Sequence, residues 1–187
     1  EIKKYDGKKD IDILFVGRLH FQKNVFLLLN SIVALREKQP DITCTIIGDG
    51  PELKKIEKFI QQHSLSKNIT LKKNTKDHDE LYRYYQRAKI FAFPSLLEGF
   101  AIVSLEAMAC GLPIVTIDAP QNHAKETIGS GALYASNTIS DFSQKIQILL
   151  NDKKMYQRMK NENLKRAQSY SWTKATRLLE RLYSSRI

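Results

Sequence analysis

The chain has 187 residues, with 30 lysines and arginines against 20 acids and a net charge of +10. That length suits one domain with an appendage and can bury a substantial core. No apolar run approaches the roughly 20 residues of a membrane-crossing helix, and the 4 histidines and 2 cysteines lack metal-ligand spacing, so neither a membrane-spanning protein nor a metal site is expected.

The positive charge reads in two ways: a solvated lysine-rich surface, or attraction to an anionic ligand or an anionic membrane surface. It is spread over Lys3–Lys9, Lys54–Lys58 and Lys153–Arg166. No motif that reads nucleic acid accompanies it, so no nucleic-acid partner is expected. Cys44 and Cys110 lie in separate apolar segments and read as free, buried thiols of a reducing compartment, which places the protein in the cytoplasm. Glu1 in place of a methionine leads us to expect an excerpt of a longer protein.

In chain order, IDILFVG (Ile11–Gly17) is short, β-branched and apolar, and reads as a buried strand. NVFLLLNSIVALREK has helical spacing, with Asn24 as N-cap. DITCTIIGDG is a second strand ending in a glycine turn, and Pro51 opens the next helix. NITLKK is a third strand and DHDELYRYYQRA a third helix. KIFAFPS is a fourth strand, followed by a helix over Ile102–Cys110 and the strand PIVTID. A short helix near His123–Ile128 precedes the last strand, GALYA. From Thr138 onward the pattern is helical, with one break at SYSW. This alternation predicts an α/β, Rossmann-like fold: a parallel sheet of about six strands, covered by helices on both faces and joined by right-handed crossovers.

Ligands of such sheets bind beyond the carboxyl ends of the strands. Four strand-to-helix turns therefore carry the candidates. In VGRLHFQKN, Gly17 ends the strand, and Arg18 and Lys23 form either an anion cradle beside a helix N-terminus or a solvated basic loop. In IGDGPE, Gly48 and Gly50 mark either close approach of a ligand or a plain tight turn. No G-x-G-x-x-G fingerprint is present, which weakens a nicotinamide reading. The turn KKNTKDHDE, with Asn74, either flanks a base or caps a helix.

The fourth turn, PSLLEGFAIVSLEAMACGLPIV, holds Glu98 and Glu106 in an apolar setting, where an unpaired carboxylate is costly. One reading pairs Glu106 with the adjacent hydroxyls of a ribose, two donors facing one two-oxygen acceptor. The other is a structural glutamate bonded to backbone or lysine. A helix starting near Phe100 would add free N–H groups for an anion.

GRLHFQKN, GDGPE and AKIFAFPSLLEGFAIVSLEAMACGLPIV, in this order and spacing, resemble the C-terminal, donor-binding domain of GT-B glycosyltransferases, most closely the retaining family-four type. The resemblance runs from Ile11 to the terminal helices. It implies a metal-independent retaining transferase that needs no cofactor. Its donor would be a nucleotide-diphosphate sugar, a UDP-sugar foremost, and its acceptor a glycan or glycolipid hydroxyl. By position, Arg18 and Lys23 would grip the diphosphate, Glu106 the ribose, and Glu98 would sit by the donor sugar. The backbone of Gly99, Phe100, Ala101 and Ile102 would meet sugar and phosphate.

The resemblance also implies a missing N-terminal acceptor domain, with residues 1–10 as the hinge, 11–170 as the donor domain and 171–187 as a C-terminal helix around Trp172. Alone, such a chain would be inactive. A non-catalytic nucleotide-sugar-binding or partner module is the alternative. The sequence departs from the family pattern at DAPQNHAKETIG, where Gln121, Asn122 and His123 stand in place of a glycine pair and Glu126 keeps the place of the final acid.

Overall fold

The computed structural model describes residues 7–73, 77–170 and Thr176. Six parallel strands form one sheet: β1 (Ile11–Val16), β2 (Cys44–Ile47), β3 (Ile69–Lys72), β4 (Ala88–Phe93), β6 (Ile114–Ile117) and β8 (Ala132–Ala135), in the order β3-β2-β1-β4-β6-β8. The order reverses between β1 and β4, which opens a crevice at their carboxyl ends. A second, two-residue ladder pairs β5 (Leu97–Glu98) with β7 (Gln121–Asn122). Nothing in the apolar pattern marks it, because both pieces are too short to show a period.

The helices are α1 (Val25–Arg36), α2 (Leu53–Gln62), α3 (His78–Arg87), α4 (Ile102–Ala109), α5 (Ala124–Ile128), α6 (Ile139–Asn151) and α7 (Lys153–Ala167). All six residues of β1 are buried, as expected for a central parallel strand. Its side chains alternate between two cores. Ile13 and Phe15 pack with α1, α2 and α6, whereas Leu14 and Val16 pack with α3, α4 and α5. The register Ile13–Cys44, Phe15–Ile46 continues into the turns, where Gly17 N–H donates to the Ile47 carbonyl at 3.0 Å and Leu19 N–H to that of Asp49 at 2.8 Å. The first two candidate loops are thus locked side by side.

Two local expectations need correction and one holds. Asn24 does not cap α1 with its side chain. It adopts the left-handed conformation (φ 51°) to end a 3-10 turn over Phe21–Lys23, a conformation asparagine tolerates. Its amide instead donates to Asn137 Oδ1 at 2.9 Å. The helix expected over Ile102–Cys110 runs Ile102–Ala109, and its start is set by Ala101, which is left-handed (φ 49°). The C-terminal helical run breaks earlier than expected, at Asp152, whose extended backbone ends α6 and whose carboxylate accepts from Met155 N–H at 2.9 Å to cap α7.

Cys44 is buried and Cys110 half-buried, both free, and burial pushes the Cys110 thiol up to about 12. Asp10, the described end of the expected hinge, holds Arg87 at 2.6 Å beside the start of β4. The earlier hinge residues 1–6, the C-terminal helix expected over 171–187 with Trp172, and Asn74 lie outside the described residues, Thr176 excepted.

Candidate functional site

Beyond the carboxyl ends of β1 and β2 lies a hollow of about 450 Å3. Gly17 and Arg18 line it from the first turn, Gly48 and Asp49 from the second, and Glu106 from α4. Val16, Ile47, Leu81 and Val103 supply apolar wall. Arg18 is exposed and has no partner among the described residues. Glu106 is partly exposed. Its Oε2 accepts from the Tyr85 hydroxyl at 2.8 Å, and its Oε1 has no partner among the described residues. A guanidinium and a carboxylate thus line the same cavity without pairing with each other, an arrangement that could hold an anion and hydroxyl groups at once. A larger hollow of about 630 Å3 lies between α1 and α6, lined by Glu37, Lys38, Ser140 and glutamines. It touches no strand end, so the sheet gives it no part in a site of this kind.

Lys23 does not line the hollow. Its ammonium pairs with Glu98 Oε1. The same oxygen accepts from Ser95 Oγ at 2.9 Å, and the Glu98 carbonyl accepts from His123 N–H at 3.0 Å. Glu98 is only 9% exposed, so burial demands such compensation. Glu98 thus follows the lysine-bonded reading, with both side-chain contacts on Oε1, whereas Glu106 has no cation partner among the described residues.

The glycines divide in the same way. A Cβ at Gly48 would stand 2.0 Å from the Gly17 carbonyl oxygen, and one at Gly50 2.3 Å from that of Leu19. Both are required by the approach of one turn to the other, which is the tight-turn reading. A Cβ at Gly99 would meet nothing within 4 Å, and one at Gly17 only the Phe15 ring at 3.4 Å.

At the start of α4 no side chain caps the helix; Ser104 N–H turns back to the Ala101 carbonyl at 2.8 Å, and the N–H groups of Ile102 and Val103 precede it. Phe100 and Ile102 flank that terminus, 54% and 66% exposed.

The departing segment is explained by packing. Asn122 is buried, donating to the Ser95 carbonyl at 3.0 Å and the Ile117 carbonyl at 3.1 Å and accepting from Ala124 N–H at 3.1 Å. It pins the 121–123 loop under Glu98. Glu126 points to solvent, 3.6 Å from His123 Nδ1, and lies outside the hollow.

Sequence reasoning missed Tyr85, Ser95, Asn122 and Asp49. Ser95 follows a strand end directly and could have been found by that position. Tyr85 looks like any aromatic on the buried side of a helix. Among the described residues no group of three histidines, cysteines or acids could hold a metal, and no helix is long and apolar enough to cross a membrane.

A family model described as glycosyl transferases group 1 matches residues 1–166. An uncharacterized glycosyltransferase of Methanocaldococcus jannaschii is 29% identical over 91% of this chain and 47% of its own length. The N-acetylgalactosamine-N,N'-diacetylbacillosaminyl-diphospho-undecaprenol 4-alpha-N-acetylgalactosaminyltransferase of Campylobacter jejuni is 29% identical over 90% of this chain and 45% of its own length. Among solved structures, the pneumococcal O-GlcNAc transferase GtfA, in complex with UDP and GlcNAc, superimposes with a TM-score of 0.79 at 21% identity, over 96% of this chain and 36% of that one. The chain therefore spans about half or less of these relatives, and its fold is that of a GT-B Rossmann-like unit. By the match over residues 1–166, the chain belongs to the glycosyl transferases group 1 family.

Proposed function

We propose that this chain binds the nucleotide-diphosphate sugar donor of a retaining glycosyltransferase, with a UDP-sugar as the donor. The observation that carries the reading is the shared hollow: Arg18 and Glu106 face one cavity at the carboxyl ends of β1 and β2 without pairing with each other. Arg18 takes the diphosphate, and Glu106 accepts from the ribose hydroxyls. Leu81 and Val103 offer apolar surface to the base. The backbone from Gly99 to Ile102, leading into α4, meets phosphate and sugar. Lys23, which lies outside the hollow and is held by Glu98, serves as the second cation only by exchanging that carboxylate for the diphosphate, and Glu98 stands by the sugar.

In the reaction the bond from the anomeric carbon to the diphosphate oxygen breaks, a bond to the acceptor oxygen forms, and the proton of the acceptor hydroxyl passes to the leaving diphosphate. Charge grows on the leaving diphosphate. Preorganised cations stabilise it, commonly by about 3–4 kcal/mol per donor group. The step needs no cofactor and, in this reading, no metal.

The acceptor is a glycan or glycolipid hydroxyl. Support comes from the Campylobacter jejuni relative, whose name carries a diphospho-undecaprenol-linked sugar. A lipid-linked acceptor would hold the protein at the inner, anionic face of a membrane, to which its positive charge is suited. A second domain, supplied by chain beyond this one, would close over the site. The exposed apolar side chains of Phe21, Leu97, Phe100 and Ile102 form the face it would cover. The chain alone then binds donor and transfers little.

Isothermal titration of UDP, GDP and ADP against the chain and its Arg18→Ala variant tests the reading. Losing one charge-assisted contact should weaken diphosphate binding by about 10- to 100-fold. Equal heats for both proteins would remove the assignment.

A further inference from the structure

We propose that Tyr85 is a positioning residue for the donor site: its hydroxyl fixes the Glu106 carboxylate in the orientation that receives two adjacent ribose hydroxyls. The inference rests on the Glu106 assignment made above and deepens it.

Tyr85 is wholly buried in α3, its ring packed 5.7 Å from that of Phe91 and 6.5 Å from that of Tyr82. A buried phenol must find an acceptor. Two stand near it, the Val103 carbonyl at 3.4 Å and Glu106 Oε2 at 2.8 Å. The shorter, charge-assisted contact takes the proton. Burial and the Glu106 charge both hold the Tyr85 pKa well above its ordinary value, so the hydroxyl remains a donor.

The geometry leaves Glu106 half occupied. A carboxylate has about four lone-pair positions over its two oxygens. Tyr85 uses one on Oε2, and Oε1 keeps both without a partner among the described residues. A glutamate carried into a cavity on three rotatable bonds would otherwise sample several rotamers and would have to be ordered by the ligand. The phenol, clamped by aromatic packing on the far side, orders it beforehand. Removing conformational freedom before binding is how preorganisation raises affinity. The hydroxyl never touches the donor in this arrangement and acts only through Glu106.

The test is titration of UDP and of 2′,3′-dideoxy-UDP, which lacks both ribose hydroxyls, against the chain and its Tyr85→Phe variant. The variant keeps the ring and deletes only the donor. The unaltered chain should prefer UDP by about tenfold or more, and Tyr85→Phe should lose about fivefold on UDP and almost nothing on the dideoxy analogue. A merely structural hydroxyl would weaken both ligands alike, and that result would overturn the proposal.

Glu106→Gln supplies the second arm. Adding Tyr85→Phe to Glu106→Gln should cost UDP binding less than Tyr85→Phe costs alone, because the two act as one unit. Full additivity would overturn the proposal even where Tyr85→Phe lowers the Tm. Should the unaltered chain bind UDP and the dideoxy analogue equally, the ribose role of Glu106 falls and this proposal with it. Should it discriminate while Tyr85→Phe discriminates as strongly, only the role of Tyr85 falls.

Discussion

The hollow around Arg18 and Glu106 and the cluster around Lys23 and Glu98 sit at the same end of one sheet, yet they are built by opposite means. In the hollow the charges are kept apart and Gly48 is compulsory: a side chain there would strike the Gly17 carbonyl. In the cluster the charges are joined, with Lys23 and Ser95 both on Glu98 Oε1, and Gly99 beside it has open space around its missing Cβ. One region uses its backbone for shape and keeps its two charges unpaired with each other. The other has settled its charges within the chain and leaves its backbone bare. Two glutamates from one segment therefore do different work, and substitutions at matched positions should separate them.

The largest effect is expected at Gly48→Ala. The added methyl lies 2.0 Å from a backbone oxygen, not from the tip of a flexible side chain, so β1 and β2 must part at their carboxyl ends. Overpacking of this kind should cost about 3 kcal/mol, or roughly 10 °C in Tm for a domain of this size. Thermal unfolding followed by circular dichroism would show it. A Tm unchanged within two degrees would mean that the two turns are not locked together as described.

Next comes Glu98→Gln set against Glu106→Gln. The first variant keeps the Ser95 contact but removes the charge facing Lys23, whose side chain is 24% exposed against 10% for Glu98. Breaking a fully buried pair costs about 3–5 kcal/mol. The partial exposure of Lys23 lowers the expected loss to about 1–2 kcal/mol, because the ammonium can turn toward water. Glu106→Gln keeps an oxygen for Tyr85 and leaves no cation unpaired among the described residues, so it should stay within about 0.5 kcal/mol of the unaltered chain. Urea unfolding of the two variants decides the matter. Equal losses would erase the distinction between a settled and a waiting carboxylate.

How much of this could be read from the sequence follows from the range of each interaction. The four inner strands β1, β2, β4 and β6 were legible because burial on both faces writes apolar runs such as IFAF, and the partly exposed edge strands β3 and β8 by their place in the alternation. The place of the candidate hollow was legible because parallel topology gathers the strand-to-helix turns at the strand ends. The partner of Glu98 was not, since Lys23 lies 75 positions away and two equally basic roles were open to it. The β5–β7 ladder was hidden by its length of two residues per strand. Gly48 was legible as a turn, but the reason for it, the carbonyl of Gly17, belongs to another strand. Tyr85 offered no signal, because a core tyrosine and a tyrosine holding a carboxylate occupy the same face of a helix.

A smaller effect of opposite sign is expected between the two regions, at Ala101. Its left-handed backbone (φ 49°) costs an L-residue about 1–2 kcal/mol, part of which glycine returns in unfolded-state entropy. Ala101→Gly should therefore stabilise the chain by about 0.5–1 kcal/mol. Urea unfolding measures this, and a loss of stability would show that the methyl, 6% exposed against the core, contributes more packing than its backbone costs.

The smallest effect on the fold is expected at Gly99→Ala, and for that reason it sharpens the comparison. No atom lies within 4 Å of the added methyl, and Gly99 has no left-handed φ to protect. Stability should change by less than about 0.5 kcal/mol. Within the proposed donor site, however, the bare backbone here is the surface that sugar and phosphate approach, so the same methyl should weaken binding of a UDP-sugar while leaving the Tm in place. Gly48→Ala would lose ligand because it loses the fold, whereas Gly99→Ala would lose ligand with the fold intact. A Gly99→Ala variant that binds the donor as the unaltered chain does would show that the open space beside Glu98 is empty for no ligand's sake, and the sugar would then have to be placed on the Arg18 side of the site.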